Sequence, residues 1–239
     1  MFAVIHLKKL RILAAAALLF LLGTAIINIV GRADTGAEAF ASEDPSPVTL
    51  VIDAGHGGLD GGASAADGTV ESEINLAIAL KMREIARLFG IEPVLTREAE
   101  TLDYPQNVGT IREKKVWDQK TRVALINSTP NAVLISVHQN TYPDARPNGT
   151  EVLYGKAAGS DSLAALTQNN LITQLCPDNR RVAAPISDKI YLMKNVICPA
   201  ILVECGFLSN EVEAKKLESD VYRTELALVL ISSYLQYTG

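Results

Sequence analysis

Three short, uninterrupted apolar runs constrain the fold of this chain more than any other feature. They occupy residues 48–52 (VTLVI), 132–138 (AVLISVH) and 200–204 (AILVE), and none alternates apolar with polar positions. Such runs are typical of strands buried on both faces, as in a parallel sheet covered by helices. Helical patterns lie between and after them, at residues 74–88, 160–175 and 221–237. We therefore predict an α/β fold: a single, mostly parallel, twisted sheet with helices on both faces.

Shorter patterns predict the remaining elements. Residues 91–96 are expected to form a strand at the sheet edge or with a bulge, because Pro93 lacks the N–H group that a regular central strand needs. We also expect short strands at residues 150–154 and 190–194 and a short helix at residues 121–127. Residues 98–118 are expected to be irregular. Asn210 and Glu213 have the three-residue spacing of a capping box.

The first 47 residues are predicted to lie outside this fold. Residues 1–11 form a basic leader that carries Lys8, Lys9 and Arg11. Residues 12–30 are uncharged and, at about 1.5 Å per residue, nearly match a hydrocarbon core of about 30 Å. They are predicted to form a membrane helix, and the positive-inside rule then places the rest of the chain on the outer side. Residues 31–47 are small and polar, as in a linker.

The apolar segment has two interpretations. Small-residue triplets at residues 37–39 and 39–41 resemble signal-peptidase sites, which would make the segment a secretory signal. Its length exceeds the roughly 7–15 residues usual for a signal, which favours a retained anchor. In either case we expect residues 48–239 to work outside the cytoplasm, membrane-anchored or secreted.

The charge distribution argues against a nucleic-acid partner. The chain has 22 Lys and Arg against 27 Asp and Glu, a net charge of −5. The charges of residues 1–47 cancel, so the excess of acid belongs to residues 48–239, where no Lys/Arg cluster occurs. Three cysteines are too few for a disulfide framework.

Two histidines and a glutamate stand at the carboxyl ends of predicted strands. His56 follows the first strand in a glycine-rich loop at residues 54–68, whereas His138 and Glu204 end the other two apolar runs. Ligands bind outside the carboxyl ends of strands in open α/β sheets, and imidazole is the commonest protein ligand for metals. A catalytic zinc typically takes three protein ligands. A third ligand is therefore required, and a carboxylate is the expected type.

Spacing alone leaves that third ligand open. Glu71 and Glu73 both lie at the start of the first predicted helix, where an acid also complements the helix dipole. Asp53 is expected either to orient the loop histidine as a hydrogen-bond acceptor or to cap the turn. Arg97 and Arg122 are as consistent with structural ion pairs as with substrate contacts. The glycine-rich loop at residues 54–68 has neither the glycine spacing nor the Lys-Ser/Thr pair of a phosphate-binding loop.

Together these motifs closely resemble the zinc-dependent N-acetylmuramoyl-L-alanine amidases of bacterial cell walls. Four motifs carry the resemblance, in the order that the family has them: Asp53-Ala-Gly-His56-Gly-Gly, Glu71-x-x-x-Asn75-Leu76, Ser136-Val-His138-Gln-Asn140 and Val203-Glu204-Cys-Gly206-Phe-Leu-Ser-Asn210. The resemblance spans nearly all of residues 48–239, which would then be the catalytic domain. The departures, at Ala54, Gln139 and Cys205, remove no functional group.

The resemblance implies both the site and the reaction. By the family pattern His56, Glu71 and His138 would hold Zn²⁺, Glu204 would be the catalytic carboxylate, and Glu73 would not be a ligand. The substrate would be peptidoglycan, cut at the amide between the lactyl group of N-acetylmuramic acid and L-alanine. Two alternatives stay open: a zinc peptidase that cuts within the stem peptide, and a wall-binding module without turnover.

A narrower resemblance points to the spore-cortex amidases of endospore-forming bacteria. It rests on the membrane leader with its short linker, on residues 112–127 and on residues 190–196 (IYLMKNV). It implies that stem peptides are stripped in the cortex before muramic δ-lactam forms, in the space between the forespore and mother cell membranes. No wall-binding repeats follow Glu204, so the anchor or an activating partner protein would target the enzyme.

Overall fold

The computed structural model describes residues 47–239, and the structural statements below concern that part of the chain. The predicted leader, membrane helix and nearly all of the predicted linker lie outside the described residues. Among residues 47–239, no helix combines the length and apolarity required to cross a bilayer.

Six strands form one mixed sheet with helices packed on it. The strands are β1 (Thr49–Ala54), β2 (Val94–Leu95), β3 (Ala132–Asn140), β4 (Glu151–Tyr154), β5 (Ala184–Pro185) and β6 (Ala200–Phe207). The helices are α1 (Glu71–Leu88), α2 (Ile111–Ser128), α3 (Ser160–Gln174), α4 (Tyr191–Asn195), α5 (Glu211–Glu218) and α6 (Asp220–Thr238). The strand order is β2-β1-β3-β6-β4-β5, and every neighbouring pair is parallel except β4 with β6.

Apolar side chains cover the central strands on both faces, as their uninterrupted composition predicts. One cluster joins α1, α3 and α6 to the sheet and includes Ile78, Leu163, Leu230, Ile135 and Val203. The other joins α2 and α4 to the opposite face and includes Ile126, Met193, Leu134 and Leu202. Because successive strand residues alternate between faces, the two clusters take alternate positions of β3 and β6. The sheet interior is thus apolar, and the polar side chains gather where the strands end.

Two predicted elements differ from the structure. Residues 190–194, predicted as a strand, are instead the N-cap Ile190 and the first four residues of helix α4, in which Leu192 and Met193 are both buried in the same cluster. Adjacent strand residues would point to opposite faces, so this burial requires a helical turn. Helix α2 begins at Ile111, within the segment expected to be irregular, because Thr110 and Glu113 form a reciprocal capping box.

The capping box predicted at Asn210 is half correct. The Asn210 side chain caps α5 by accepting from the N–H groups of Val212 and Glu213. The buried Glu213 carboxylate does not reach back to Asn210, and it accepts instead from the N–H groups of Gly149 at 2.8 Å and Phe207 at 3.4 Å. Glu213 therefore ties α5 to the end of β6 and to the segment that enters β4.

The capping box of α2 gives a stability prediction. Thr110→Ala should lower the free energy of unfolding by about 1 kcal/mol, because the N–H of Glu113 loses its acceptor. Urea unfolding followed by circular dichroism measures this change. Thr101→Ala, at an exposed position outside any helix, is the control and should change it by less than about 0.5 kcal/mol. An equal loss in both variants would contradict the capping role.

Candidate metal centre and active site

Three side chains from three elements converge at the carboxyl end of the sheet. His56 follows β1, Glu71 opens α1 and His138 lies near the end of β3. Glu71 Oε1 is 3.3 Å from His56 Nε2 and 3.0 Å from His138 Nδ1. One ligand atom from each residue lies within 4.8 Å of the other two. The structure therefore brings the three predicted ligands together, whereas the alternative, Glu73, is exposed to solvent.

Glycines in the loop after β1 make this convergence possible. A Cβ atom on Gly55 would collide with the ring of His138, and one on Gly62 with the carboxylate of Glu71. His56 itself has a φ of 61°, in the left-handed region that residues with a Cβ atom rarely adopt. The chain is thus shaped around the two other candidate ligands.

Backbone donors hold the Glu71 carboxylate in place. Its Oε2 accepts from the N–H of Ala63 at 2.9 Å, and its Oε1 from the N–H of Gln139 at 3.1 Å. Burial by itself would raise the pKa of Glu71, but the hydrogen bonds to His138 and His56 outweigh it and bring the pKa well below its usual range. The side chain is therefore ionised, as a metal-binding carboxylate must be.

Asp60 orients His56. Its Oδ2 lies 3.1 Å from Nδ1 of His56, which leaves Nε2 facing Glu71, while its Oδ1 accepts from Lys115 Nζ at 2.7 Å. Burial lowers the pKa of His56, but the hydrogen bonds to Asp60 and Glu71 outweigh this effect and raise it to about 9. In the absence of a metal, His56 is therefore protonated at neutral pH.

The expectation that Asp53 orients His56 is wrong. Asp53 Oδ2 accepts from Ser136 Oγ at 2.6 Å, and Oδ1 from Arg122 at 2.8 Å. Burial would raise the pKa of Asp53, but Arg122 and the Ser136 hydroxyl outweigh it and hold the pKa at about 2. The sequence did contain a signal for Asp60, four residues after His56 in the same loop, but its second partner, Lys115, lies in the segment expected to be irregular.

Glu204 lies beside the cluster with an unpaired oxygen. It is the register partner of His138 across β3 and β6, and its buried Oε2 has no hydrogen-bond partner among the described residues. Burial raises its pKa, and although His138 opposes the effect, the pKa lies at about 7. A carboxyl group with a pKa near neutrality can both accept and return a proton. The next residue, Cys205, faces the opposite side of the sheet, and burial raises the pKa of its thiol.

A cleft of about 220 Å³ leads to the two histidines. Asp60 and Gln119 contribute to one part of its lining, and Lys189 and Tyr191 to another. A larger cavity of about 500 Å³, between the glycine-rich loop and residues 100–104, is lined by Glu73 but not by His56, Glu71 or His138. The smaller cleft is therefore where a substrate can reach the cluster.

The family model for N-acetylmuramoyl-L-alanine amidases (Amidase_3) matches residues 50–232 of this chain. The chain belongs to this family. The match confirms the resemblance seen in its motifs, and the protein is an N-acetylmuramoyl-L-alanine amidase that acts on peptidoglycan.

Individual relatives agree with the family assignment of the amidase. A germination-specific N-acetylmuramoyl-L-alanine amidase of Bacillus subtilis (strain 168) is 33% identical over 189 residues, which cover 79% of this chain and 78% of the relative. The CwlD amidase from Clostridioides difficile, solved in complex with the GerS lipoprotein, is 36% identical with a TM-score of 0.76, covering 80% of this chain and 98% of that one. An N-acetylmuramoyl-L-alanine amidase from Clostridium difficile 630 is 28% identical with a TM-score of 0.69, and the match covers 80% of this chain and 96% of that one.

The raised pKa of His56 makes the stability of the metal-free amidase depend on pH. The contribution of protonated His56 is fully present below its unfolded pKa of 6.5 and is lost as the pH rises through about 9. After a discount for partial exposure, we expect the free energy of unfolding to fall by about 2 kcal/mol over that interval. Urea titrations in the presence of a chelator measure it.

Asp60→Asn is the matched variant for this prediction. It removes one of the two carboxylates that favour protonated His56, so its stability should depend less steeply on pH. The same pH dependence in both proteins would contradict the role of Asp60.

Proposed function

We propose that this amidase depends on zinc, with His56, Glu71 and His138 as metal ligands and Glu204 as the catalytic carboxylate. The observation that carries the proposal is the convergence of two imidazoles and an ionised carboxylate within 4.8 Å, at the carboxyl end of the sheet. Two nitrogen donors and one oxygen donor form a set that catalytic zinc uses in hydrolases, with a fourth position left for water or substrate. The unpaired Oε2 of Glu204 lies beside that set.

The bond proposed for cleavage is the amide between the lactyl group of N-acetylmuramic acid and L-alanine. Zinc, when bound, would polarise the amide carbonyl and make a nearby water more acidic. Glu204 accepts a proton from the attacking water and delivers it to the nitrogen of L-alanine as the C–N bond breaks. Its pKa of about 7 suits both directions of transfer.

The residues around the ligands keep them in position for this reaction. Asp60 occupies Nδ1 of His56, so that Nε2 remains directed at the donor set. The N–H groups of Ala63 and Gln139 fix both oxygens of Glu71. These contacts keep the side chains near their binding geometry before metal and substrate arrive.

We also propose that the enzyme strips stem peptides in the spore cortex ahead of muramic δ-lactam formation. Its similarity to the germination-specific amidase of Bacillus subtilis and to the CwlD amidase supports this role. The enzyme would work outside the cytoplasm, anchored by or secreted with residues 12–30, between the forespore and mother cell membranes. An activating partner is proposed as well, because the CwlD amidase was solved in complex with a lipoprotein.

The role of Glu204 is tested by Glu204→Gln, which keeps the shape of the side chain but cannot accept the proton. Hydrolysis should fall by about 10²–10⁴-fold while zinc stays bound. The assay is the release, from purified sacculi, of peptides that begin with free L-alanine. Glu73→Gln, an exposed change, should hydrolyse at the wild-type rate. Retained turnover in Glu204→Gln would remove Glu204 from its role, and wild-type products that begin further along the stem would identify a peptidase.

The ligand assignment is tested by a second pair of variants. Glu71→Ala should lower zinc affinity by more than the roughly 10–100-fold that loss of an outer hydrogen-bonding partner costs, because it removes a ligand itself. Glu73→Ala should leave affinity unchanged, since its side chain is exposed and does not belong to the cluster of donor atoms. Metal analysis of the purified proteins after dialysis measures both. The reverse result would make Glu73 the ligand.

A further inference from the structure

A buried arginine from α2 holds the backbone around His56. The Nη2 of Arg122 donates to the His56 carbonyl at 2.5 Å, and its Nη1 donates to the Ala54 carbonyl at 2.6 Å. The same guanidinium is anchored by the carboxylates of Asp53 at 2.8 Å and Asp118 at 2.9 Å. Arg122 thus connects the loop that carries His56 to both β1 and α2.

A second buried arginine connects that loop to the start of α1. The Nε of Arg97 donates to the Ala54 carbonyl at 2.9 Å, and its Nη2 donates to the carbonyls of Gly55 at 3.1 Å and Ser72 at 2.7 Å. Ser72 directly follows Glu71. One guanidinium therefore sets the spacing between the backbone beside His56 and the backbone beside Glu71.

These contacts fall on a backbone that needs external support. His56 has a φ of 61°, and a residue with a side chain keeps such a conformation only when its surroundings hold it. Three successive carbonyls, those of Ala54, Gly55 and His56, all accept from the two guanidinium groups. The two guanidinium groups therefore bind the loop at and directly before His56, the residue with the unfavourable backbone conformation.

Charge alone does not explain why arginines occupy these positions, although Arg122 forms ion pairs with Asp53 and Asp118. The side chains of Arg97 and Arg122 are only 1% and 4% exposed, and two cations close to a metal site oppose the binding of another cation. Among the described residues Arg97 has one ion-pair partner, Glu100 at 3.8 Å, and its hydrogen bonds all go to backbone carbonyls. What the guanidinium group supplies is a rigid, planar fork of donors that spans several carbonyls.

We infer that Arg97 and Arg122 form a guanidinium clamp that positions His56 and Glu71 for metal binding before the metal arrives. Arg122 fixes the left-handed turn at His56, and Arg97 fixes the distance from that turn to Glu71. Both act on the site through the backbone carbonyls that they hold, so both are positioning residues. The inference rests on the proposed function, because it takes the cluster of His56, Glu71 and His138 to be the zinc site.

Lysine substitutions test the clamp without changing the charge. Arg97→Lys and Arg122→Lys each replace a fork by one ammonium group, which cannot reach the same set of carbonyls. Zinc affinity of the full chain, measured by competition with a chromophoric chelator, should fall about 10–100-fold in each variant. The visible absorption of the cobalt(II)-substituted protein should also change, because the ligand geometry is less well held. Arg87→Lys, at an exposed ion pair with Glu92, is the matched control and should retain wild-type affinity and spectrum.

The outcomes separate the clamp from the zinc site itself. Wild-type affinity and spectrum in both Lys variants would overturn the clamp while leaving the proposed zinc ligands in place. A wild-type chain that binds no zinc would overturn the proposed function, and the clamp with it. A loss of stability in folded variants that still bind zinc as tightly as wild type would mean a purely structural role and would also overturn the clamp.

Hydrogen exchange on the metal-free wild-type protein tests the same inference without a variant. Within the loop, the N–H of Gly55 donates to Val137 and that of Gly57 to Asp60. The clamp predicts that both amides are already protected in chelator and gain less than about 10-fold more protection when zinc is added. Amides that become protected only after zinc binds would show that the metal, and not the arginines, orders the loop.

Discussion

The ends of neighbouring parallel strands at one edge of the sheet determine where chemistry can occur in this protein. β1, β3 and β6 are adjacent and parallel, so the residues that follow or end them lie side by side: His56, His138 and Glu204. Glu71 reaches the same point from the first turn of α1, and its carboxylate is within hydrogen-bonding distance of both imidazoles. The guanidinium clamp adds a reason why these groups meet, since the turn at His56 is conformationally unfavourable and is held by buried donors.

The side chains of the donor cluster shift one another's pKa values. The two imidazoles bring the pKa of Glu71 well below its usual range, and Asp60 and Glu71 raise that of His56 to about 9. A metal that takes Nε2 of His56 must displace its proton, so metal affinity rises with pH in this range. At Glu204 burial outweighs the opposing effect of His138 and raises the pKa to about 7, and one carboxylate oxygen has no hydrogen-bond partner among the described residues. The donor cluster thus gives the amidase a physical basis for the proposed zinc chemistry, and Glu204 gives it one for proton transfer.

The sequence by itself determined the α/β class, the three central strands and the residues that gather at their ends. These are local properties: an uninterrupted apolar run requires burial on both faces, and the four motifs lie in short stretches of chain. The capping box of α2 is local too, since Thr110 and Glu113 have the required spacing, but the polar composition around them favoured an irregular segment. Spacing left Glu71 and Glu73 equivalent, and only the family resemblance chose between them.

Tertiary structure alone decided the contacts between distant segments. Asp60 rather than Asp53 orients His56, because the strand position of Asp53 directs its carboxylate to Ser136 and Arg122. Residues 191–195 form a helix, and its apolar residues Leu192 and Met193 both pack on one face of the sheet. The arginines that hold the His56 loop are far from it in the chain. Their partners within that loop are backbone carbonyls, which carry no signature in a sequence, so only the folded chain shows which side chains contact them.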